Sequence, residues 1–309
     1  GFLPINNLLN FFANTSYHTY EPLWHLNQLN LTVDVNYTRI INPDAFHNFS
    51  INLDAWGNFR NFIFMGLWMY TEPVITYDYF EPRSPGRYYT YPINYNFGGW
   101  ISSDYSKRFA FDLSSNLRLF GEEGRYRHNI DFSPRFRVND KILLTAYGGR
   151  FFWPNDVGFV NYDGDSIILG KRDNVTFEGL VQANYTPNVK MSFGLRLRHY
   201  WSFAEYSAFY NLGDDGSLLP TTYNSFDAEG NSFDDVNFNA FNVDFVYTWF
   251  FAPGSELNIV WKNSIYQFGT YLPENYLDDI DQVFDAPVGN NFSIKLLYYL
   301  DYLYLKKKQ

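Results

Sequence analysis

Arginine is the residue type that this chain places where chemistry could happen. Within residues 107–138, Arg108 and Arg118 keep one parity, and Arg125, Arg127, Arg135 and Arg137 keep another. Asp112 falls in step with the first set and Asp131 with the second, and Arg196 and Arg198 repeat the two-residue spacing further on. Successive side chains of an extended strand point to opposite faces, so each run aims its charges at one face. Lys262 and Lys295 join the basic set by the same alternation; Asp34, Asp54, Glu178, Asp244 and Asp301 join the acidic one. Two chemistries follow. One is a salt-bridge network that fills and stiffens an enclosed space. The other is a basic stripe that attracts anionic solutes, as rings of charge do in pores.

Other chemistries find less support. The five histidines, His18, His25, His47, His128 and His199, lie on separate segments. His199 sits on the face opposite Arg198, and no Ser-His-Asp order or paired carboxylate stands out, so no catalytic residue is assigned. Acidic stretches occur at Asp163-Gly164-Asp165, Asp214-Asp215-Gly216, Asp234-Asp235 and Asp278-Asp279-Ile280-Asp281. None has the spacing of a twelve-residue calcium loop, so they read as solvated loops, and neither metal nor cofactor is expected. Gly98-Gly99 and Gly148-Gly149 read as strand kinks or close-packing sites rather than phosphate cradles.

The elements that must position these charges are strands. Phe109, Phe111, Leu113, Leu117 and Leu119 alternate with Arg108, Asp112, Asn116 and Arg118; after Gly121-Glu122-Glu123-Gly124 the pattern resumes with Tyr126, His128, Ile130, Phe132, Phe136 and Val138. One face of this hairpin is apolar and the other charged. The alternation recurs from end to end and predicts about thirteen strands: 6–20, 25–39, 46–57, 59–71, 92–104, 107–120, 124–138, 141–154, 174–186, 189–203, 236–250, 256–268 and 291–305. Short connections (20–24, 56–60, 104–107, 139–140, 186–188, 252–255) alternate with a set that includes long ones (72–91, 155–173, 204–235, 269–290). The exceptions are two compact turns near 40–45 and 121–124. Strands of this length, with loops sorted by length, fit a transmembrane antiparallel β-barrel. Tight turns then lie in the periplasm, long loops lie outside, and the C-terminus is periplasmic. The fold class expected is all-β. Trp24, Trp56, Trp249, Tyr298, Tyr302 and Tyr304 are expected in one aromatic girdle, and Trp68, Tyr70, Trp153 and Trp201 in the other. An odd strand number implies that residues 1–309 are the C-terminal part of a larger barrel, with more strands upstream of Gly1. Gly1-Phe2-Leu3-Pro4 has no signal-peptide pattern, so Gly1 reads as a mature or truncated start.

Composition agrees. The 309 residues include 32 Phe and 27 Tyr, no Cys, a formal net charge of −10 and a mean hydropathy of −0.32. No run approaches the roughly 20 apolar residues of a spanning helix. The absence of cysteine excludes disulfide staples and thiolate metal sites, and the acidic balance excludes a nucleic-acid partner.

Four stretches carry a resemblance. They are EPRSPGRYYTYPINYNFGGWISSDYSKRFAFDL at 81–113, MSFGLRLRHYWS at 191–202, YNLGDDGSL at 210–218 and SIKLLYYLDYLYLKKK at 293–308. Together they resemble a family of Gram-negative outer-membrane proteins of unknown function, whose barrel follows an N-terminal domain similar to carbohydrate-binding family 9. The resemblance implies a non-enzymatic anchor or scaffold at the cell surface for a glycan-binding-like domain and large loops. The implied partners are outer-membrane lipid and lipopolysaccharide, other outer-membrane subunits and a glycan. It supplies no catalytic residue. A solute channel with a basic lumen and an outer-membrane hydrolase are the alternative readings.

Overall fold

The computed structural model describes residues 7–273, 275–300, 302 and 306. The strands are β1 (Leu8–His18), β2 (Leu26–Ile40), β3 (Ala45–Phe59), β4 (Phe64–Glu72), β5 (Thr76–Asp78), β6 (Tyr89–Tyr91), β7 (Asn94–Ser102) and β8 (Phe109–Phe120). They continue as β9 (Tyr126–Asn139), β10 (Ile142–Asp163), β11 (Ser166–Asn188), β12 (Met191–Leu212), β13 (Leu218–Leu219), β14 (Val236–Ala252), β15 (Ser255–Gly269) and β16 (Val288–Leu297). Helix α1 (Tyr276–Asp285) precedes β16. All but β5 and β6 join one antiparallel sheet of fourteen strands, in the order β1-β2-β3-β4-β7-β8-β9-β10-β11-β12-β14-β15-β16, with the short β13 added to β12. The thirteen strands of the main path correspond, in order, to the thirteen that alternation predicts.

Register shows which residues share a face. Val33, Leu53, Met69, Phe97 and Leu117 stand directly opposite one another across β2, β3, β4, β7 and β8. The next row is Asp34, Asn52, Tyr70, Asn96 and Arg118. The apolar row is the exposed one: Val33, Leu53, Phe97 and Leu117 are 37–45% exposed, whereas Asn96 is 6% exposed. Leu67, Leu113, Phe132, Phe136 and Leu195 extend the exposed apolar face. Over most of its width the sheet is therefore inside-out. Apolar side chains point away from the protein and polar ones point in.

The pattern changes along β10, β11 and β12, which are 22 or 23 residues long and project past their neighbours. The consecutive residues Ile167, Ile168 and Leu169 are all buried. Ile167 and Leu169 pack with Tyr89, Val157 and Leu212 on one face. Ile168 packs with Tyr206 and Phe209, against Tyr223 and Phe226, on the other. The β5–β6 segment covers the first face and the segment after β13 covers the second.

Several expectations need correction. Residues 155–173 form the far half of the β10–β11 hairpin rather than a loop. Bulges between Trp153 and Asp156 and between Phe159 and Asn161 interrupt its two-residue period. The 269–290 segment contains α1, capped by Asn275, whose side chain accepts from the backbone N–H groups of Leu277 and Asp278. Trp56, Trp68, Tyr70 and Trp153 are not girdle residues, because register places them on the polar face. Asp301 and Tyr304 lie outside the described residues. With that one hairpin corrected, the sorting of loops stands: connections at one end are short, and the long ones gather at the other.

Among the described residues the sheet does not close. β1 and β16 occupy its two ends and are not paired with each other. Every residue of β16, and every residue of β1 except Leu8, is exposed.

Candidate functional site

The polar face gathers its charges most densely at the long-loop end. β4 ends on Glu72, β7 begins on Asn94, and Arg118 lies near the end of β8, so the sheet brings three distant segments side by side. Arg118 Nη2 lies 3.0 Å from Glu72 Oε2, and its Nε donates to Asn94 Oδ1 at 2.8 Å. Arg125, whose side chain is 1% exposed, donates to Glu122 Oε2 at 2.9 Å and to the Tyr89 hydroxyl at 3.0 Å, and pairs with Asp156 at 3.5 Å. Asp156 also accepts from Arg172 Nε at 3.1 Å and Asn174 Nδ2 at 2.7 Å. Both arginines lie over aromatic rings, Arg118 above Tyr70, Tyr91 and Phe120, and Arg125 above Tyr91, Phe120 and Trp153. Buried charges of this kind persist only when hydrogen-bonded and paired.

A cavity of about 410 Å³ opens beside this network. His47, Glu72, Tyr77, Glu81, Tyr91, Arg118, Trp153, Asp156 and Arg172 line it. Glu81 reaches in from the 72–91 segment, and its Oε1 accepts from the Phe159 backbone N–H at 2.6 Å. Burial pushes the Glu81 carboxyl above the usual carboxylate range, against the pull of that N–H and of Arg172. Burial likewise raises Asp156, against the attraction of Arg172 and Arg125. The Tyr89 hydroxyl is pushed up to about 12, again chiefly by desolvation. Gly158 leaves room for these groups, because a Cβ there would overlap the Arg172 guanidinium and crowd Glu81.

The remaining residues of the predicted stripe do not join this network. Arg127 lies over Phe151 and Trp153, with centroids 5.8 and 5.6 Å away. Arg135 lies over Tyr105, and Arg108 donates to the Val138 carbonyl at 2.8 Å while covering Phe136. No side-chain ion pair involves Arg127, Arg135 or Arg137 among the described residues. The two aspartates are satisfied without arginine. Asp112 accepts from the Tyr105 hydroxyl, and Asp131 accepts from Asn129 at 2.6 Å, Tyr147 at 2.7 Å and Ser114 at 3.2 Å. Across the sheet, Arg196 pairs with Asp244 at 2.5 Å. Arg198 and Lys262, neither of them ion-paired among the described residues, line a wider cavity of about 830 Å³ together with the Arg196–Asp244 pair.

Sequence reasoning missed Glu72, Asp156 and Arg172, because it placed them in loops or beyond a strand's end. One signal was available for Glu72: it continues the parity of Trp68 and Tyr70. His199 lies on the outward parity, as expected, but α1 covers it. Its Nδ1 is 2.8 Å from the Tyr276 hydroxyl, and its Nε2 is 2.9 Å from Asn239 Oδ1 and 3.4 Å from Asp279. Among the acidic loop residues, Asp235 accepts from the backbone N–H groups of Tyr206 and Ser232, and Asp215 from that of Ser217. No group of three metal-binding side chains was found among the described residues.

Residues 1–309 match the model of a domain of unknown function, DUF5916. The chain belongs to the DUF5916 family. No curated protein matches it. The DUF5916 domain thus combines an exposed apolar sheet face with a charged cluster at its long-loop end, covered by the 72–91 segment.

Proposed function

We propose that this DUF5916 domain is the wall of an outer-membrane β-barrel. In this reading it acts as a non-enzymatic anchor that holds its long loops, and a binding domain carried with it, at the cell surface. The observation that supports this most is the exposed apolar face. Leaving a large apolar side chain in water forfeits ~1.5–3 kcal/mol. Roughly ten such residues would then consume the ~5–15 kcal/mol that normally separates folded from unfolded chains. Lipid removes that cost. The outward row on β8 runs from Phe109 to Leu119, and at ~3.3 Å per residue and a tilt of ~40° it spans about 25 Å, the height of an outer-membrane apolar band.

Lipid cannot satisfy bare strand edges, so the seam between β1 and β16 must be filled. The thirteen strands of the main path alternate in direction, so β1 and β16 run parallel. An all-antiparallel closure therefore takes an odd number of further strands, supplied by another segment or chain.

The roofed mouth favours an anchor over a channel, because the 72–91 segment packs across the polar face at that end. Conduction of anions is the second reading, favoured by Arg198 and Lys262 on the opposite wall. The test is extraction of the full-length protein. A barrel stays in carbonate-washed membranes and migrates differently in SDS before and after heating. Recovery as a detergent-free soluble protein overturns the reading. A steady anion-selective current across planar bilayers would replace the anchor with the channel.

A further inference from the structure

We propose that the polar face of β3, β4 and β7 binds an uncharged oligosaccharide. The inference rests on the reading of that wall as the water-facing side of a barrel.

Three tryptophans stand on this wall. Trp56, Gly66 and Trp100 form one row across β3, β4 and β7, and Asp54, Trp68 and Gly98 form the next. A Cβ added at Gly98 would overlap the Trp68 indole, and one at Gly66 would overlap that of Trp100. The indoles of Trp68 and Trp100 therefore each lie across a glycine of the neighbouring strand. Covering a glycine explains why a ring lies flat against a sheet, but it uses only one face of the ring. Among the described residues, no aromatic ring or guanidinium stacks on Trp56, Trp68 or Trp100. This contrasts with Phe120 and Trp153 higher on the same side, which lie beneath arginines.

The surrounding chemistry selects the ligand class. β1, β2, β3, β4 and β7 contain no lysine and one arginine, Arg39, which is tied to Asp44 at 2.6 Å. The remaining strands of the sheet carry every other arginine and lysine found in its strands. A wall without free cations does not recruit anions. Of its carboxylates, Asp34 on the adjoining β2 accepts from Asn14 at 2.6 Å and from Asn52 at 3.3 Å, whereas Asp54, directly opposite Trp68, has no side-chain hydrogen-bond partner among the described residues. What remains is a surface of amides, hydroxyls and flat indoles. Asn96, only 6% exposed, and Asn116 flank the Trp68 row with side-chain oxygens that have no protein partner. A pyranose ring suits such a surface, because its C–H face packs on an indole and its hydroxyls donate to amide and carboxylate oxygens at the edges.

The test is calorimetric and fluorescence titration of the full-length protein in detergent with maltohexaose, cellohexaose and mannohexaose, with oligogalacturonate as the anionic control. Saturable binding of at least one neutral hexasaccharide, insensitive to ionic strength, is expected. Trp68→Ala and Trp100→Ala should each weaken it about three- to tenfold, on the scale of one aromatic contact, and Trp68→Phe should restore most of the loss. Heat-modifiable migration, followed in every preparation, reports the barrel separately. Failure of all three neutral sugars to bind a heat-modifiable protein overturns the inference while the barrel stands. Tighter binding of oligogalacturonate, or native affinity in the Trp68→Ala, Trp100→Ala double variant, also overturns it. A protein that is not heat-modifiable removes the barrel and this inference together.

Discussion

The same three strands, β10, β11 and β12, pass through two environments. Below Trp153, outward residues such as Leu144 and Val181 are bare, and polar residues fill the other face. Beyond Asp156, Ile167, Ile168 and Leu169 are buried on both faces, as in the centre of a soluble three-layer structure. The chemistry of the strand has not changed, since both halves are rich in aliphatic residues. What differs is what stands opposite, which is nothing in one half and the protein's own loops in the other. Near the crossover, Arg150 lies over Phe152 and Phe177, an apolar stem with a charged head; in the barrel reading it marks the lipid–water boundary. The comparison teaches that one strand reports, through its loss of alternation, where a second layer begins to cover it.

Substitutions can break this contrast. The largest effect belongs to the charged cluster: Asp156→Ala removes the buried carboxylate that Arg172, Asn174 and Arg125 share and should cost about 3–5 kcal/mol, read from denaturant unfolding. A loss below about 1 kcal/mol would mean that water reaches the pair. Leu169→Ala should cost about 2–5 kcal/mol as an ordinary core cavity, in detergent and in lipid alike. Leu53→Arg separates the two regions most cleanly. In a bilayer it should cost about 2–4 kcal/mol; on a water-facing surface it would stay within about 0.5 kcal/mol.

A pH scan sharpens the picture. Burial makes Glu81 and Asp156 bind protons more tightly in the folded state than in the unfolded chain. The stability this provides is full below the unfolded carboxylate range, near pH ~4, and is lost as pH rises through the raised folded values. Glu81→Gln should therefore flatten the fall in stability just above that range, and an unchanged slope would show Glu81 to be solvated. Smallest of all, Arg198→Ala should alter stability by no more than about 0.5 kcal/mol, since its guanidinium has no carboxylate partner among the described residues. A larger loss would place Arg198 in a structural network like that of the mouth.

Much of this was legible in the sequence, and the failures share a cause. Alternation located all thirteen strands of the main path, because half-exposed strands such as β8 must repeat every two residues. It failed at Ile167-Ile168-Leu169, where both faces are covered and no alternation is required. It also misplaced Trp68 and Trp153. Aromatic type suggested a girdle, but parity with Tyr70 and Phe151 puts both on the polar face. The charged stripe was visible, yet its partners were not: Arg118 and Arg125 bind Glu72 and Asp156, from segments read as loops, while Asp112 and Asp131 bind hydroxyls and an amide. Helix α1 was hidden in acidic sequence, although Asn275 followed by Ile280, Val283 and Phe284 carries a cap and a helical spacing.

The bare flank of β1 has a consequence for the life of the polypeptide. Its eleven residues, LLNFFANTSYH, include no lysine, no proline and no carboxylate, the features that usually stop one chain from zipping onto another. Left uncovered, that strand would serve as a template for a second copy. If the sheet is the barrel wall proposed above, that edge must stay covered from synthesis onward, first by an escort and then by the strands that close the seam.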